Sequence, residues 1–266
     1  MGKKKTAAKV ISQKELAPGI FDMWLETELA AQAGAGQFIG VYTKDKSNLL
    51  PRPISICEVD KEKNALRIVY RVAGKGTGEF SGYCDGDEVQ ILGVLGNGYA
   101  LELLKGKRVF LMGGGIGIPP MLELAKELYE YNSCENAGIE IIIIVGYRDS
   151  KTFLKEDLEK YGKVYIASED GSVGTKGNVM NTVAENALEA DALCSCGPMP
   201  MLRAIKKYAE EKNIPAYISL EERMACGVGA CLGCVVKTKE IDHHSHVNNA
   251  RICTDGPVFL AADVDI

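Results

Sequence analysis

Three cysteines lie within nine residues near the C-terminal end of the chain, in the stretch MACGVGACLGCVVK (residues 224–237). Cys226, Cys231 and Cys234 have the spacing C-x4-C-x2-C, and Cys253 follows after 18 intervening residues. This spacing is typical of the four thiolate ligands of a plant-type 2Fe-2S cluster. Glycines between the cysteines allow a tight loop whose N–H groups can reach the cluster sulfurs. The pattern therefore predicts an electron carrier.

A structural zinc ion, disulfides and free thiols are the alternative uses of these cysteines. A zinc site more often has two paired C-x2-C knuckles, and only Cys231 and Cys234 form such a pair. Nine cysteines would suit a disulfide scaffold in a shorter, secreted chain, and no signal peptide is recognisable. The HHSH tract at 243–246 resembles a metal-binding tract, but the four cysteines already complete a ligand set, which favours a solvated loop.

The glycine-rich turn GGGIGIPPM (residues 113–121) follows a strand-like run and opens a helix-like one. Glycines let the backbone approach a pyrophosphate closely, and the N-terminus of the following helix favours its negative charge. The turn departs from G-x-G-x-x-G because Ile118 takes the sixth position, so an ordinary strand-to-helix turn is the alternative. The segment CGPMPM (residues 196–201) has the same position after a later strand. Two such turns would face one nucleotide-binding crevice.

RPIS (residues 52–55) and YRVAGKGT (residues 70–77) are the unusual segments of the first hundred residues. The Arg52 guanidinium can hold a phosphate through bidentate contacts, and the Ser55 hydroxyl can hydrogen-bond a ring nitrogen. The GKGT turn would offer backbone N–H groups and the Thr77 hydroxyl to a second phosphate. The alternatives are a solvated arginine on an edge strand and an ordinary hairpin turn.

The elements that must position these residues divide the chain into three parts. Residues 1–103 contain short alternating runs separated by turn residues, the pattern of an antiparallel β-barrel. Residues 104–218 alternate strand-like and amphipathic helix-like segments, which predicts a doubly wound α/β domain with a parallel sheet. Residues 219–266 are rich in cysteine and glycine and too few for an ordinary core, so we expect a small domain held by its metal centre.

Composition restricts the function further. Of the 266 residues, 46% are hydrophobic and 25% are charged, which is ordinary for globular domains. A net charge of −5 argues against nucleic-acid or anionic-membrane binding as the main task. No window offers about 18 uninterrupted apolar residues, as a spanning helix requires. We therefore expect a cytoplasmic protein with no membrane or nucleic-acid partner. Four of the other cysteines are expected to be small core residues: Cys57, Cys84, Cys134 and Cys194.

The order of these segments resembles that of a known family over essentially the whole chain. A barrel followed by RPIS, GGGIGIPP and CGPMPM is similar to the ferredoxin reductase-like flavoproteins. The C-terminal segments EERMACGVGACLGCVVK and CTDGPVF resemble the electron-transfer subunits of NAD-dependent dihydroorotate dehydrogenases. The resemblance implies a barrel that binds FAD, an α/β domain that binds NAD and a C-terminal domain that binds a 2Fe-2S cluster.

The resemblance also implies roles for individual residues. The implied FAD contacts are Arg52, Pro53, Ile54, Ser55, Val69, Tyr70, Arg71, Gly76 and Thr77. The implied NAD contacts are Gly113, Gly114, Gly115, Gly117, Cys196, Gly197 and Pro198. The implied cluster ligands are Cys226, Cys231, Cys234 and Cys253. Members of the wider superfamily often have an aromatic residue before the serine, where this chain has Ile54, so Tyr70 becomes the candidate for stacking on the flavin.

The chemistry of the three cofactors agrees with the resemblance. NADH gives up two electrons as hydride, an iron–sulfur cluster takes one at a time, and a flavin can do both, so the flavin must lie between them. No acid–base dyad or nucleophile is needed or visible; Ser55 and Cys196 are expected beside the flavin and the nicotinamide. Glu169 and Asp170 after the strand KVYIAS would repel a 2′-phosphate and favour NAD over NADP, although Lys176 nearby opposes this.

The sequence shows no site for an organic substrate beyond the nucleotide crevice, so a partner protein is expected near the cluster. The resemblance implies an FMN-containing catalytic subunit that oxidises dihydroorotate to orotate in pyrimidine biosynthesis, in a heterotetramer of two such pairs. One alternative is the homologous subunit of an NADH-dependent ferredoxin–NADP reductase or sulfide dehydrogenase. Those relatives often replace the first cluster cysteine with aspartate, whereas this chain has Cys226. Another is a colourless, zinc-stapled nucleotide sensor.

Overall fold

The computed structural model describes residues 3–241 and 246–266. His243, His244 and Ser245 of the HHSH tract lie outside the described residues, so a solvated loop there stays a prediction. Within the described ranges, none of the helices combines the length and the apolar character that crossing a bilayer requires.

The first part of the chain is a closed antiparallel barrel with the strand order β1-β2-β5-β4-β3-β6. Its strands are β1 (Lys4–Ala17), β2 (Ile20–Glu26), β3 (Phe38–Val41), β4 (Arg52–Asp60), β5 (Ala65–Arg71) and β6 (Glu88–Leu95). A short helix, α1 (Lys75–Phe80), connects β5 to β6. The predicted barrel is confirmed.

The two faces of strands β4 and β5 are buried against different neighbours. Leu66, Ile68 and Tyr70 belong to the core inside the barrel. Cys57 and Val69 instead join the core under the second part of the chain. Because both faces are covered, the first six residues of β5 are all buried, and Arg67 is the one charged residue among them.

The second part is an open sheet with the order β10-β9-β8-β7-β11-β12-β15, parallel except at β15. The strands of this part are β7 (Arg108–Gly114), β8 (Glu140–Tyr147), β9 (Lys163–Ser168), β10 (Thr175–Lys176), β11 (Ala192–Cys196) and β12 (Ala216–Ser219). The helices are α2 (Pro119–Glu135), α3 (Lys155–Leu158), α4 (Val179–Glu185) and α5 (Met199–Lys212). The direction of winding reverses between β7 and β11, where such sheets bind ligands. The predicted doubly wound domain is confirmed.

The third part contains β13 (Val235–Lys237), β14 (Asn249–Arg251) and β15 (Val258–Leu260). Strand β15 crosses to the second part and pairs antiparallel with β12, which the sequence did not predict. Cys234, Ile252 and Cys253 are buried in one core with Phe38 and Leu95 of the barrel. The third part is therefore built into the other two rather than appended to them. We retain the boundaries 1–103, 104–218 and 219–266 as a proposal.

Buried polar contacts join the barrel to the sheet. Glu123 in α2 is only 2% exposed, and its Oε2 accepts a hydrogen bond from the Val59 N–H at 2.8 Å. Burial raises the pKa of Glu123 to about 7. Arg67 in β5 pairs with Asp22 at 2.9 Å and with Asp157 of the second part at 3.0 Å. These contacts fix α2, and the glycine turn that precedes it, against the barrel.

Candidate functional site

A cleft of about 530 Å³ lies where the three parts of the chain meet. Six of its lining residues are predicted FAD contacts from adjacent strands β4 and β5: Pro53, Ile54, Ser55, Val69, Tyr70 and Arg71. The opposite wall contains Ile116 of the glycine turn and the segment 219–224, which leads into the cluster loop. The structure thus brings the predicted flavin residues together beside the predicted nucleotide turn.

The remaining predicted FAD residues meet beyond the cleft. A Cβ added at Gly76 would overlap the Arg52 guanidinium, at 2.7 Å from Cζ, so the two predicted phosphate contacts adjoin each other. The Thr77 hydroxyl accepts hydrogen bonds from the Ala73 N–H at 2.8 Å and the Gly74 N–H at 3.2 Å. The GKGT segment is therefore the first turn of α1 rather than a hairpin turn. Its early N–H groups lack partners within the helix, and with Arg52 they fit a diphosphate.

The ring of Tyr70 is not available for flavin stacking. Tyr70 is 1% exposed, and its ring packs on Phe21 and against the Phe80 ring, with centroids 5.9 and 6.0 Å away. Its hydroxyl donates to Gln13 Oε1 at 2.8 Å. The expectation that this ring would replace the missing aromatic residue is corrected, because the ring is buried in the barrel core. Tyr70 lines the cleft without offering it a ring face.

Other cleft residues suit a flavin ring. The side chains of Ile54, Val69, Leu220 and Met224 give the cleft apolar walls. The Ser55 hydroxyl also lines the cleft and, among the described residues, has no hydrogen-bond partner in the protein. A flat, mainly apolar ring with hydrogen-bonding nitrogens fits such a lining. The role of each residue stays a prediction.

The two predicted nucleotide turns pack directly on each other at the carboxyl ends of β7 and β11, which are neighbours in the sheet. A Cβ at Gly117 would lie 2.6 Å from the Gly197 nitrogen, and one at Gly114 would lie 3.1 Å from Pro198 Cδ. Gly115 has a φ of +55°, a left-handed conformation that favours glycine. The glycines therefore allow one turn to lie against the other, as the predicted crevice requires.

Cys196 and Glu221 meet where the crevice joins the cleft. The Cys196 Sγ lies 3.9 Å from Glu221 Oε1 and donates its hydrogen to it. Burial raises the pKa of the Cys196 thiol, so the thiol stays protonated. Desolvation also raises the pKa of Glu221, and the charge of Arg71 opposes that effect. Glu221 was not predicted as a site residue although it begins the segment EERMACGVGACLGCVVK, because only the cysteines of that segment have a spacing with chemical meaning.

The four predicted cluster ligands are brought together as two pairs. The Cys226 side chain interacts with that of Cys231, and the Cys253 side chain interacts with that of Cys234 and, through its charge, with Cys226. Burial opposes ionisation of Cys226, but N–H donors including that of Val228, 3.4 Å from its sulfur, outweigh it and lower its pKa to about 6. Burial and the neighbouring Cys234 raise the pKa of Cys253 to about 11.

Two pairs of thiols match the donor set of a 2Fe-2S cluster, in which two ligands serve each iron. Among residues 3–241 and 246–266, no group of three or more Cys, His, Asp or Glu side chains is arranged around one ion. Gly227 and Gly229 have φ values of +66° and +82°, so the loop that presents Cys226 needs glycine at both positions. The donor set and the loop both fit the cluster.

The cleft and two of the cluster cysteines border the same core. Phe38 lines the cleft and is packed in the same core as Cys234, Cys253 and Leu95. Pro257, four residues after Cys253, also lines the cleft. A group in the cleft and a group on the thiols would therefore be separated by side chains rather than by solvent.

Two family models match this chain. Residues 221–265 match the iron-sulfur cluster binding domain of dihydroorotate dehydrogenase B. Residues 111–207 match the oxidoreductase NAD-binding domain. Both matches fall on the parts of the chain that contain the thiol pairs and the packed glycine turns.

Related proteins cover almost the whole chain. The dihydroorotate dehydrogenase B (NAD(+)) electron transfer subunit of Streptococcus pneumoniae is 41% identical over 258 residues, 96% of each chain. The protein of the same name from Fusobacterium nucleatum is 43% identical over 238 residues, 87% of this chain and 86% of the other. A solved structure of NADH-dependent reduced ferredoxin-NADP oxidoreductase superposes with a TM-score of 0.84 at 26% identity, over 100% of this chain and 91% of that one.

The fold does not identify the family, because an oxidoreductase of a different name has the same fold. The family is therefore assigned from the relatives with similar sequences. Their identity extends over the barrel, the sheet and the cluster loop together, and the family model for the cluster domain agrees with them. This chain belongs to the family of electron transfer subunits of dihydroorotate dehydrogenase B (NAD(+)).

Proposed function

We propose that this protein passes electrons between an FMN-containing dihydroorotate dehydrogenase subunit and NAD+ in pyrimidine biosynthesis. The observation that carries the proposal is that four cysteines come together beside the flavin cleft, with Cys234 and Cys253 buried in a core that includes the cleft residue Phe38. Family membership supplies the substrate and the partner.

The proposed binding residues fall into three groups. FAD is held by Arg52, Pro53, Ile54, Ser55, Val69, Tyr70, Arg71, Gly76 and Thr77. NAD is held by Gly113, Gly114, Gly115, Gly117, Cys196, Gly197 and Pro198. The cluster is held by Cys226, Cys231, Cys234 and Cys253. When bound, FAD exchanges electron pairs for single electrons, the cluster carries single electrons, and NAD takes up or gives hydride.

The protein's own contribution is to bind and orient. Arg52 and the start of α1 would hold the diphosphate, and the residues of β4 and of the segment 219–224 that line the cleft would contact the flavin ring. The Ser55 hydroxyl would supply a hydrogen bond to a ring nitrogen. Cys196 stays a neutral thiol because of its raised pKa, so its place beside the nicotinamide adds no charge. The apolar side chains of Phe38 and Leu95 exclude water from the space between cleft and thiols.

The surface around the thiols supports a partner protein there. Leu232 is 63% exposed, Val228 is 41% exposed and Val235 is 38% exposed, and Cys231 between them is also exposed. Apolar side chains that share one exposed loop are typical of a protein interface. We propose that the FMN-containing catalytic subunit covers this loop, in a heterotetramer of two pairs.

Association with that subunit tests the interface. Leu232→Glu should weaken the complex strongly, because a charge would be buried in an apolar contact. Leu103→Glu is the matched control, since Leu103 is 49% exposed in the turn between barrel and sheet. Equal association of the two variants, measured by analytical ultracentrifugation, would place the partner elsewhere.

A second candidate is the homologous subunit of an NADH-dependent ferredoxin–NADP reductase or sulfide dehydrogenase. The TM-score of 0.84 with the NADH-dependent reduced ferredoxin-NADP oxidoreductase favours it. Cys226 and the 41% identity to the dihydroorotate dehydrogenase relatives favour the first candidate. A neighbouring gene for an FMN barrel, rather than for a large glutamate synthase-like flavoprotein, would decide between them.

The first test is an anaerobic visible absorption spectrum of the purified chain, followed by titration with NADH and, separately, NADPH. Flavin and iron–sulfur absorption that bleaches with NADH is the expected result. Bleaching with NADPH alone would support the second candidate, and a colourless zinc protein would refute both. We also propose the cytoplasm as the location, because the five cysteines outside the proposed cluster site are free thiols and reducing compartments keep them so.

A further inference from the structure

Three hydrogen bonds from one residue of the barrel, Asn97 in the turn after β6, reach the third part of the chain. The Asn97 N–H donates to the Gly256 carbonyl at 2.7 Å. Its side-chain amide donates to the Thr254 carbonyl at 2.9 Å and the Asp255 carbonyl at 3.2 Å. Three consecutive carbonyls, directly after the proposed ligand Cys253, thus accept hydrogen bonds from one residue of the barrel.

The turn that receives these hydrogen bonds is internally braced. The Asp255 carboxylate accepts from the Arg251 N–H at 2.7 Å and from its guanidinium at 3.0 Å. The N–H groups of Asp255 and Gly256 donate back to the Arg251 carbonyl. The Asp255 carboxylate and the N–H groups of Asp255 and Gly256 therefore have hydrogen-bond partners within the turn. Because the turn is braced in this way, a displacement of Asn97 would move it as a unit.

The turn that donates them is fixed to the wall of the cleft. Gln37, at the start of β3, donates from its amide to the Gly96 carbonyl at 2.9 Å and accepts from the Gly34 N–H at 3.0 Å. Gly96 has a φ of +76°, and a Cβ there would lie 2.9 Å from the Phe38 ring. Asn97 is thus held at a fixed position relative to Phe38, which lines the cleft.

We propose that Asn97 is a positioning residue that sets the separation between the flavin cleft and the Cys253 end of the cluster site. The inference rests on the proposed function, since it concerns electron transfer between the two sites. The rate of electron transfer falls steeply with distance, so a small displacement of either site changes that rate strongly, just as misplacement by about 1 Å slows other reactions. Asn97 is exposed, so its substitution removes hydrogen bonds without opening a cavity.

The test compares Asn97→Asp and Asn97→Ala in the holoprotein. Asn97→Asp keeps the shape of the side chain but places a carboxylate oxygen, which repels them, against the carbonyl oxygens of Thr254 and Asp255. Asn97→Ala only removes the amide that donates to these carbonyls. Asn186→Asp is the matched control, because Asn186 is also exposed and its amide donates to the Thr182 carbonyl at 3.0 Å within the second part. Hydrogen exchange of residues 254–258 and the rate of cluster reduction after rapid mixing with NADH are measured together.

We expect exchange of residues 254–258 to become about tenfold faster in Asn97→Asp, as the loss of two hydrogen bonds predicts, and less so in Asn97→Ala. Cluster reduction should slow in the same order, while flavin reduction and the iron and flavin contents stay unchanged. The control should behave as the wild type.

Wild-type exchange in Asn97→Asp would overturn the inference. So would faster exchange with an unchanged rate of cluster reduction, because Asn97 would then stabilise the turn without setting the separation. A wild-type chain that contains no iron or no flavin would instead remove the proposed function, and this inference with it.

Discussion

The nucleotide crevice and the cluster loop both depend on glycine, but for different reasons. In the crevice, Gly114 and Gly117 are needed because no space exists for a side chain between two packed turns. In the cluster loop, Gly227 and Gly229 are needed because their φ values are left-handed. The crevice sits on the central strands of a sheet, whereas residues 220–234 contain no helix or strand. One site is organised by backbone packing, and the other depends on its thiols and the group they hold.

The largest expected effect is the loss of the cluster while the nucleotide crevice keeps its function. Cys231→Ser should remove nearly all the cluster iron, because the loop has no regular structure to hold it, yet NADH should still bleach the flavin. Iron content and visible absorption measure this. Cys84→Ser is the control, since Cys84, which the sequence wrongly predicts to be a core residue, is also exposed and lies between α1 and β6. Full iron retention in Cys231→Ser would show that Cys231 is not a ligand.

The converse change acts on the crevice. Gly117→Ala should weaken NADH binding and destabilise the protein by about 1–3 kcal/mol, because its Cβ would meet backbone atoms that cannot move aside. Iron content should be unchanged. Gly82→Ala is the control, because the nearest atom to its Cβ would be 3.4 Å away. NADH titration and thermal unfolding distinguish the two variants, and equal behaviour would mean that the turns do not need their close contact.

A variant of the flavin site tests whether the backbone N–H groups of α1 retain FAD without the Arg52 side chain. Arg52→Ala should weaken FAD retention roughly tenfold or more, because charge-assisted hydrogen bonds contribute about 1.5–3 kcal/mol each. The flavin-to-protein ratio after dialysis measures this. Arg108→Ala removes an exposed arginine paired with Glu140, far from the cleft, and should retain FAD fully. Full retention in both variants would assign the diphosphate to the N–H groups of α1 alone.

The smallest expected effect is a change in the pH dependence of stability, caused by Glu123, which attaches α2 to the barrel. The folded pKa of Glu123, about 7, is above its usual value of 4.5, so this group's stabilising contribution is complete below pH 4.5 and is lost as the pH rises through 7. Glu123→Gln does not titrate, so relative to wild type it should gain roughly 1–3 kcal/mol of stability between pH 5 and pH 8. Denaturant unfolding at both values measures the gain.

Glu135→Gln at the exposed end of α2 is the control for this pH dependence. It should unfold like the wild type at each pH. A pH dependence in Glu123→Gln equal to that of the wild type would mean that another group titrates in this range.

The sequence predicts the parts of the molecule whose patterns are local. The cysteine spacing, the glycine turns and the change from alternating runs to strand–helix alternation each lie within a few residues, and the barrel and the sheet are confirmed. The contribution of β15 to the sheet was not predictable, because a three-residue strand carries no periodic signal. Glu221 and Asn97 act through residues far away in the chain, and the Tyr70 ring was misassigned because its aromatic neighbours come from other elements.

The pairing of β15 with β12 also bears on the synthesis of the protein. Strand β15 follows β12 only after residues 220–257, so β12 remains an unpaired edge until that whole segment has left the ribosome. Open edges of this kind are prone to wrong pairing with other strands. The nucleotide sheet is therefore completed by the same segment that delivers Cys253, which couples the maturation of the two sites in time.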